Sequence, residues 1–378
     1  MRVGFGCTML AKGLRNGGID GIGSYTRELG ARLSVKDDLE LLPFSFGAPA
    51  TENFPIKGAP VRLLGRYAPM AAFSAFSSMA FPTARIGGAV DIFHATDHLV
   101  PKYANFPVVA TLMDAIPLAH PEWIRTRFAG LKTWLWRQTA QWADHVVTIS
   151  EHSKDELSRH FGIAPEKISV IPLGVDERYF ERFDASRKLE VLTRLGLPER
   201  FFLFVGTLQP RKNIERVLDA HAALPLRMQN EIPMVIVGRD GWGAEGLVAR
   251  LRDETTRGRV YWLNYLSDAD VRALMQSAQA LVFASLHEGF GLPVVEAFAS
   301  GLPVIASNTT AIPEVALDAA LLINPLDVGE ISDAMRQVVA LPGLAEKLSA
   351  AGELRARELS WSACAEKTLD IYRMVLGH

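Results

Sequence analysis

The sequence predicts an α/β protein built as two Rossmann-like halves, and three observations support this. Short β-rich runs alternate with helix-period stretches along the chain, the pattern of parallel sheets covered on both faces. With 378 residues, 49% hydrophobic and 22% charged, the chain is long enough for two domains with full cores and has the balance of a globular protein. No similarity recurs at a spacing of 20–50 residues, so a solenoid is not expected.

Strand runs fall in the first half at residues 2–5, 91–94, 108–112 and 145–149. In the second half they fall at 201–205, 234–237, 260–263, 280–283 and 303–306. Helix-period stretches lie at 25–33, 134–142, 154–161 and 213–223. The boundary is expected between Pro172 and Arg200. Leu173-Gly-Val-Asp176 ends one strand pattern, a polar stretch follows to Glu190, and a new strand starts at Phe201 after Leu197-Pro198-Glu199. This gives a first domain over 1–180, a linker over 181–199, a second domain over 200–360, and a C-terminal helix over 361–378 that returns to the first domain. Cys364, Leu369, Tyr372 and Val375 lie near one face of that helix. Ligand is expected in the cleft between the domains, at the strand C-termini.

A net charge of −2 gives no sign of a nucleic-acid partner. The charge is uneven, however. Between residues 54 and 140 nine cations (Lys57, Arg62, Arg66, Arg85, Lys102, Arg125, Arg127, Lys132, Arg137) face four acids (Asp91, Asp97, Asp114, Glu122). Cys7 and Cys364 sit at opposite ends of the chain, with neither a disulfide framework nor a metal-type spacing. Met1-Arg-Val-Gly-Phe reads as a first strand, not a signal peptide. The apolar stretches are broken before they reach the length of a membrane span. The expectation is a cytoplasmic protein.

The most informative segment is Glu288-Gly-Phe-Gly-Leu-Pro-Val-Val-Glu296, which follows a strand run. Pro293 suits a first helical turn, and Gly301 reads as the helix stop. A loop between a strand end and a helix start gathers free N–H groups and the positive end of the helix dipole, which suits phosphate. Gly289 and Gly291 permit close approach of a ligand to the backbone. The two carboxylates suit sugar hydroxyls, so the loop fits a molecule carrying both groups.

Gly206-Thr-Leu-Gln-Pro-Arg211-Lys212-Asn213 also follows a strand and opens a helix. Two cations at a helix N-terminus oppose the helix dipole unless an anion sits there. Arg grips phosphate oxygens bidentately and Lys adds a point charge. Gly17-Gly-Ile-Asp-Gly21-Ile-Gly23 precedes a helix, either as an anion-approaching turn or as a flexible loop. His94, His98 and His120 lie near strand ends, and no two of them are spaced as metal ligands on one helix. Asp268-Ala-Asp270 after Ser267 reads as a helix start, not a metal motif.

Together these segments resemble the retaining glycosyltransferases of family four, which have the GT-B fold of two Rossmann-like domains. The likeness runs through Gly21-Ile-Gly-Ser-Tyr, Asp91-Ile-Phe-His94, Val147-Thr-Ile-Ser150 and Ile171-Pro-Leu-Gly-Val-Asp176. It continues with Val205-Gly-Thr-Leu-Gln-Pro-Arg-Lys-Asn213, Val237-Gly-Arg-Asp-Gly-Trp242 and Ser307-Asn-Thr-Thr-Ala-Ile-Pro-Glu314. Its centre is the spacing of seven residues between Glu288 and Glu296.

The resemblance implies that Lys212, helped by Arg211, holds the donor diphosphate, and that Glu296 binds the ribose hydroxyls. Glu288, with the Gly289–Leu292 backbone (Phe290, Gly291 and Leu292), holds the transferred sugar. Leu263 and Tyr265 line the base pocket, and Gly21 and Gly23 close over the phosphates. Reaction is implied to proceed with retention, by front-face attack, without a metal or other cofactor. Glu288, Lys212 and Asp114 are the expected catalytic residues.

Two departures stand out. Met113-Asp114 replaces the family's His-Asp pair, whose His contacts the donor sugar. That contact is either missing or supplied by another residue such as His94 or His120, which are also the candidate acceptor contacts. Thr207 replaces the cation that follows the second-domain glycine. The Gly-Thr-Leu-x-Pro-Arg-Lys-Asn form implies mannosyl transfer from GDP-mannose to a lipid-linked oligosaccharide or polysaccharide precursor such as an O-antigen. A UDP-sugar donor is the main alternative, ahead of an epimerase, a phosphorylase or an inactive sugar-nucleotide-binding module. The runs 122–137 and, more loosely, 61–73 interleave aromatics with cations. They read either as a face for an anionic membrane or as core-facing helices with a solvated basic side.

Overall fold

The computed structural model describes residues 1–49, 54–56, 60–84, 86–123 and 129–377. Lys57, Arg85, Arg125 and Arg127, and with them part of the basic-aromatic run 122–137, lie outside the described residues. The chain forms two compact units: residues 1–174 with 361–378, and residues 175–360.

The first unit holds a seven-stranded parallel sheet of β1 (Arg2–Gly6), β2 (Glu40–Ser45), β3 (Arg62–Leu63), β4 (Ile92–Ala95), β5 (Val108–Thr111), β6 (His145–Thr148) and β7 (Ile168–Val170). The strand order is β3-β2-β1-β4-β5-β6-β7. The second unit holds a six-stranded parallel sheet of β8 (Phe202–Val205), β9 (Met234–Val237), β10 (Val260–Leu263), β11 (Ala280–Phe283), β12 (Val304–Ser307) and β13 (Leu321–Ile323). Its order is β10-β9-β8-β11-β12-β13. In each sheet the first strand lies beside the fourth, and the connections run off in opposite directions. That is the topological switch point where α/β sheets bind ligand.

The inner strands β5, β9, β11 and β12 bury every residue on both faces, so helices cover both sides. Phe201, Phe202, Phe204, Phe283 and Phe298 are fully buried in the second unit, as are Phe5, Phe44 and Phe93 in the first. Each such side chain contributes roughly 1.5–3 kcal/mol by leaving water. The strands the sequence reading missed are mostly at or next to the sheet edges. β3 is exposed at both residues, and β7 and β13 are only partly buried, so their apolar signal is weak.

Two sequence expectations are corrected. Residues 181–199 are not a linker: they carry the helix Ala185–Leu195, capped by Asp184 and ended by Gly196 in the left-handed region. This helix packs within the second unit, where Arg194 pairs with Asp270. Its polar face hid an amphipathic helix whose buried residues include Val191 and Leu192. The boundary falls at Gly174/Val175, inside the expected Pro172–Arg200 window but ahead of the expected domain end at residue 180, because Val175 donates its N–H to Leu359 O inside the second unit. The helix Trp361–Leu376 belongs to the first unit and buries Cys364, Leu369 and Tyr372, whereas Val375 is only partly buried.

Candidate active site

In the second unit, the loops after β8 and β11 flank the switch point and meet each other. After β8 the chain turns through Gly206 and the short 3-10 turn Pro210–Lys212, then enters the helix Ile214–Ala222. Close strand packing makes two glycines necessary in the neighbouring β9 loop. A Cβ on Gly238 would stand 1.9 Å from Gly206 O, and one on Gly241 2.4 Å from Leu208 O.

Asn213 fixes the turn. It adopts φ 58°, a conformation Asn tolerates, and its Nδ2 donates to Ala284 O at 2.9 Å and Pro325 O at 2.6 Å. One side chain thus ties the β8 loop to the β11 and β13 ends. Leu286 N–H donates to Arg211 O at 2.7 Å, bringing the two loops into register.

Arg211, Lys212 and Glu288 converge there. Lys212 Nζ lies 2.5 Å from Glu288 Oε1, and Arg211 Nη1 lies 2.9 Å from Glu288 Oε2 and 3.0 Å from His287 O. The Lys212 ammonium also sits over the Phe283 ring, 4.8 Å from its centre. Lys212 is 7% exposed and Glu288 6%. Burial alone would raise the Glu288 carboxyl, but the charges of Lys212 and Arg211 outweigh it and hold the group at about 2. Lys212 moves below its ordinary value, through burial first and Arg211's like charge second, against the pull of Glu288. Two cations share one carboxylate, so the cluster carries surplus positive charge in a desolvated place.

Glu288 N–H donates to Thr310 Oγ1 at 3.2 Å, and Thr310 itself has φ 58°. The chain then passes Phe290, which is buried, and Gly291 at φ 98° before the helix Leu292–Ala299. The φ of 98° favours glycine there, and a Cβ would also press on the tip of Ile312, 2.6 Å from its Cδ1. The first turn of this helix leaves backbone N–H groups without intrahelical partners.

Glu296 is half-buried one turn into the same helix, in a different setting. Burial first, then the charges of Asp268 and Asp176, raise its carboxyl to about 7 against a hydrogen bond from Tyr179. Leu263 closes β10, and Tyr265 beyond it is 65% exposed, with the Arg239 guanidinium 4.5 Å from its ring centre. Thr207 is exposed at the β8 loop. Ser267 caps the helix Asp268–Met275 by accepting from Asp270 N–H, as the sequence predicts for that segment.

The first unit places its expected residues otherwise. Gly21 and Gly23 form the first turn of the helix Gly21–Leu33, not a loop ahead of it, and Asp20 Oδ1 accepts the Gly23 N–H at 2.8 Å. That N–H is therefore occupied within the cap. His94 is corrected as an acceptor contact. It is fully buried within β4, with Nδ1 2.6 Å from the Tyr372 hydroxyl and Nε2 2.7 Å from the Thr111 hydroxyl. Burial lowers it to about 3, so it is a neutral core residue. Met113, at the position of the family's histidine, is also buried. Asp114 follows β5 and accepts Ile116 N–H at 3.1 Å, closing a small turn. His120 is partly buried, stacked on Trp123 at 3.8 Å and bonded to Glu122 at 3.0 Å.

Sequence reasoning missed Tyr179, Thr310 and the tethering role of Asn213. Thr310 lies in the Ser307–Glu314 segment already singled out, but its link to Glu288 spans 22 positions and leaves no periodic trace.

Comparison with known proteins fits this geometry. Residues 19–179 match the family described as Glycosyltransferase Family 4, and residues 193–355 match Glycosyl transferases group 1. The chain is 29% identical over 371 residues to O-antigen chain mannosyltransferase B of Escherichia coli, covering 94% of this chain and 97% of that one. Among solved structures it is similar to sucrose-phosphate synthase from Thermosynechococcus elongatus, with TM-score 0.76 and 20% identity over 100% of this chain and 99% of that one. It is also similar to Anabaena HepE in complex with UDP, with TM-score 0.74 and 18% identity over 99% of this chain and 100% of that one. The chain therefore belongs to the family-four glycosyltransferases, with the two parallel-sheet, Rossmann-like domains of the GT-B fold and mannosyltransferases of O-antigen synthesis among its relatives.

Proposed function

We propose that the protein transfers mannose from GDP-mannose to a lipid-linked or polysaccharide-precursor acceptor in the cytoplasm, with retention at the anomeric carbon and without a metal. The supporting observation is the buried Arg211–Lys212–Glu288 cluster at the second switch point, whose two cations exceed its one carboxylate. A diphosphate entering there meets Lys212, Arg211 and the first-turn N–H groups of the helix Leu292–Ala299. Mannose is favoured by the likeness to an O-antigen mannosyltransferase that spans nearly the whole of both chains.

In the reaction, the bond between sugar C1 and the phosphate oxygen breaks and its electron pair leaves with the nucleoside diphosphate. The acceptor oxygen bonds to C1 on the same face, and its proton passes to the departing diphosphate. Negative charge grows on that diphosphate, and preorganised cations in a dry site stabilise it without reorganising. Glu288 holds Lys212 and Arg211 in place and accepts from the sugar hydroxyls. Glu296 accepts from the ribose hydroxyls, and Leu263 and Tyr265 flank the base. Thr207 and the Gly289–Gly291 backbone line the phosphates and sugar.

The test is release of nucleoside diphosphate from a panel of GDP- and UDP-sugars, with a lipid-diphosphate sugar as acceptor and EDTA present. GDP release that depends on both GDP-mannose and acceptor is expected. UDP release alone would reassign the donor, release independent of acceptor would sink the transfer reading, and loss of activity in EDTA would overturn the metal-free one.

A further inference from the structure

In the first unit the helices Tyr67–Ser77 and Ala129–Ala140 pack side by side, and their outer surface is apolar. Phe73, Phe76, Met79, Leu131 and Trp134 are 58%, 76%, 58%, 58% and 36% exposed. Phe76 and Trp134 stack on each other with ring centres 5.2 Å apart, so the stacked pair joins the two helices at the surface. Globular proteins scatter such side chains singly, and a contiguous aromatic patch marks a surface that something covers.

Charge indicates what covers it. Neither helix contains an acidic residue, and residues 54–90 contain none at all. Arg66, immediately before the first helix, is exposed, as are Lys132 and Arg137 on the second. The Lys132 ammonium lies 4.6 Å from the ring centre of Trp136, on a flank of the same helix. Lys102 Nζ donates to Ser78 O at 2.8 Å, setting another cation beside the C-terminal end of the helix Tyr67–Ser77.

We propose that this face docks on an anionic lipid bilayer, with Phe73, Phe76, Met79, Leu131 and Trp134 entering the headgroup–acyl boundary and Arg66, Lys132 and Arg137 meeting the lipid phosphates. An interfacial surface of this kind combines buried apolar area with attraction to anionic lipid. Aromatic rings suit that depth because one edge can stay wet. A second copy of the chain is disfavoured as occupant, because pairing the patch with itself sets cations against cations. Among the described residues no helix is long and apolar enough to cross a membrane, so the contact would be peripheral. The inference stands on the patch alone and does not depend on which sugar is transferred.

The test is co-sedimentation of the full chain with phosphatidylcholine vesicles, with and without phosphatidylglycerol. Wild type is expected to pellet with the anionic vesicles, less so as salt rises. Phe76→Asp with Trp134→Asp should weaken binding by about tenfold or more. Arg66→Glu with Lys132→Glu should abolish the preference for anionic lipid. All these positions are exposed, and an unchanged Tm identifies variants that remain folded. Equal binding of wild type and Phe76→Asp/Trp134→Asp, equal binding to neutral and anionic vesicles, or a wild-type dimer that this double variant dissolves would each overturn the proposal.

Discussion

The two sheets share a strand order around their first strands, yet the chemistry at their switch points is opposite. In the second sheet the loops after β8 and β11 bring Arg211, Lys212 and Glu288 together in a buried ionic cluster. In the first sheet the ends of β1, β4 and β5 are stitched by neutral groups. Tyr25 and His94 both bond the Thr111 hydroxyl, at 2.8 and 2.7 Å, and Thr26 bonds the Thr96 hydroxyl, which itself donates to Gly6 O at 2.7 Å. A neutral network that satisfies its own donors and acceptors rigidifies a core and leaves nothing to offer a ligand. A buried cluster with more cations than anions is costly until an anion arrives. Topology thus marks two places where a ligand could sit, and only side-chain charge separates them.

The largest expected effect comes from breaking the ionic cluster. Lys212→Ala and Glu288→Ala should each lower turnover by roughly 10²–10³, the usual consequence of removing one preorganised charge partner. Stability should fall by about 3–5 kcal/mol in Glu288→Ala, which strands the buried Lys212 ammonium, and by less in Lys212→Ala, where Glu288 keeps Arg211 as its partner. Thermal melts beside donor-release assays would show both effects, and wild-type turnover in either variant would remove the cluster from the site.

His94→Leu tests the neutral network. It leaves the Tyr372 hydroxyl without its 2.6 Å partner in a buried place, at a cost of about 1–3 kcal/mol. Because burial already keeps His94 neutral, donor release per folded molecule should be unchanged. A fall in turnover without a fall in Tm would restore His94 as a substrate contact.

The smallest effect separates the two glutamates. Glu288 is depressed to about 2, so its contribution to stability is present above its ordinary 4.5 and disappears as pH falls through 2. Glu296 is raised to about 7, so its contribution is present below 4.5 and disappears as pH rises through 7. Ligand-free protein should therefore lose stability across pH 4.5–7 through this one group, and Glu296→Gln should flatten that slope. Donor affinity should rise over the same range in the wild type, as the carboxylate becomes a pure acceptor, and stay flat in Glu296→Gln. Parallel pH profiles for the two proteins would remove Glu296 from ribose binding.

The second half of the molecule was largely legible in its sequence. β8 to β12 are apolar runs, and the motif loops lie directly after β8 and β11. The acid pair, the Arg-Lys pair and the glycines around them all fall on the second switch point. Edge strands such as β3 and β13 escaped because half-exposed strands carry little apolar signal. The helix Ala185–Leu195 was taken for a linker because its exposed face is charged while its buried face is narrow. His94 was misread for another reason: a histidine beside a strand end looks the same in sequence whether it faces solvent or a buried tyrosine 278 positions away.

By itself, the sequence determined the α/β class, two parallel-sheet halves and the loops that carry the charged residues. These follow from local periodicity and from glycine and proline chemistry, which act over a few residues. Tertiary structure decided which charged residues share one carboxylate, that Gly23 is spent on its own cap, and that Glu288 and Glu296 are driven to opposite protonation behaviour. Those outcomes depend on burial and on partners far away in the chain, such as Lys212 for Glu288 and Asp176 for Glu296. Desolvation and Coulomb energy depend on distance in space, which spacing along the chain does not encode.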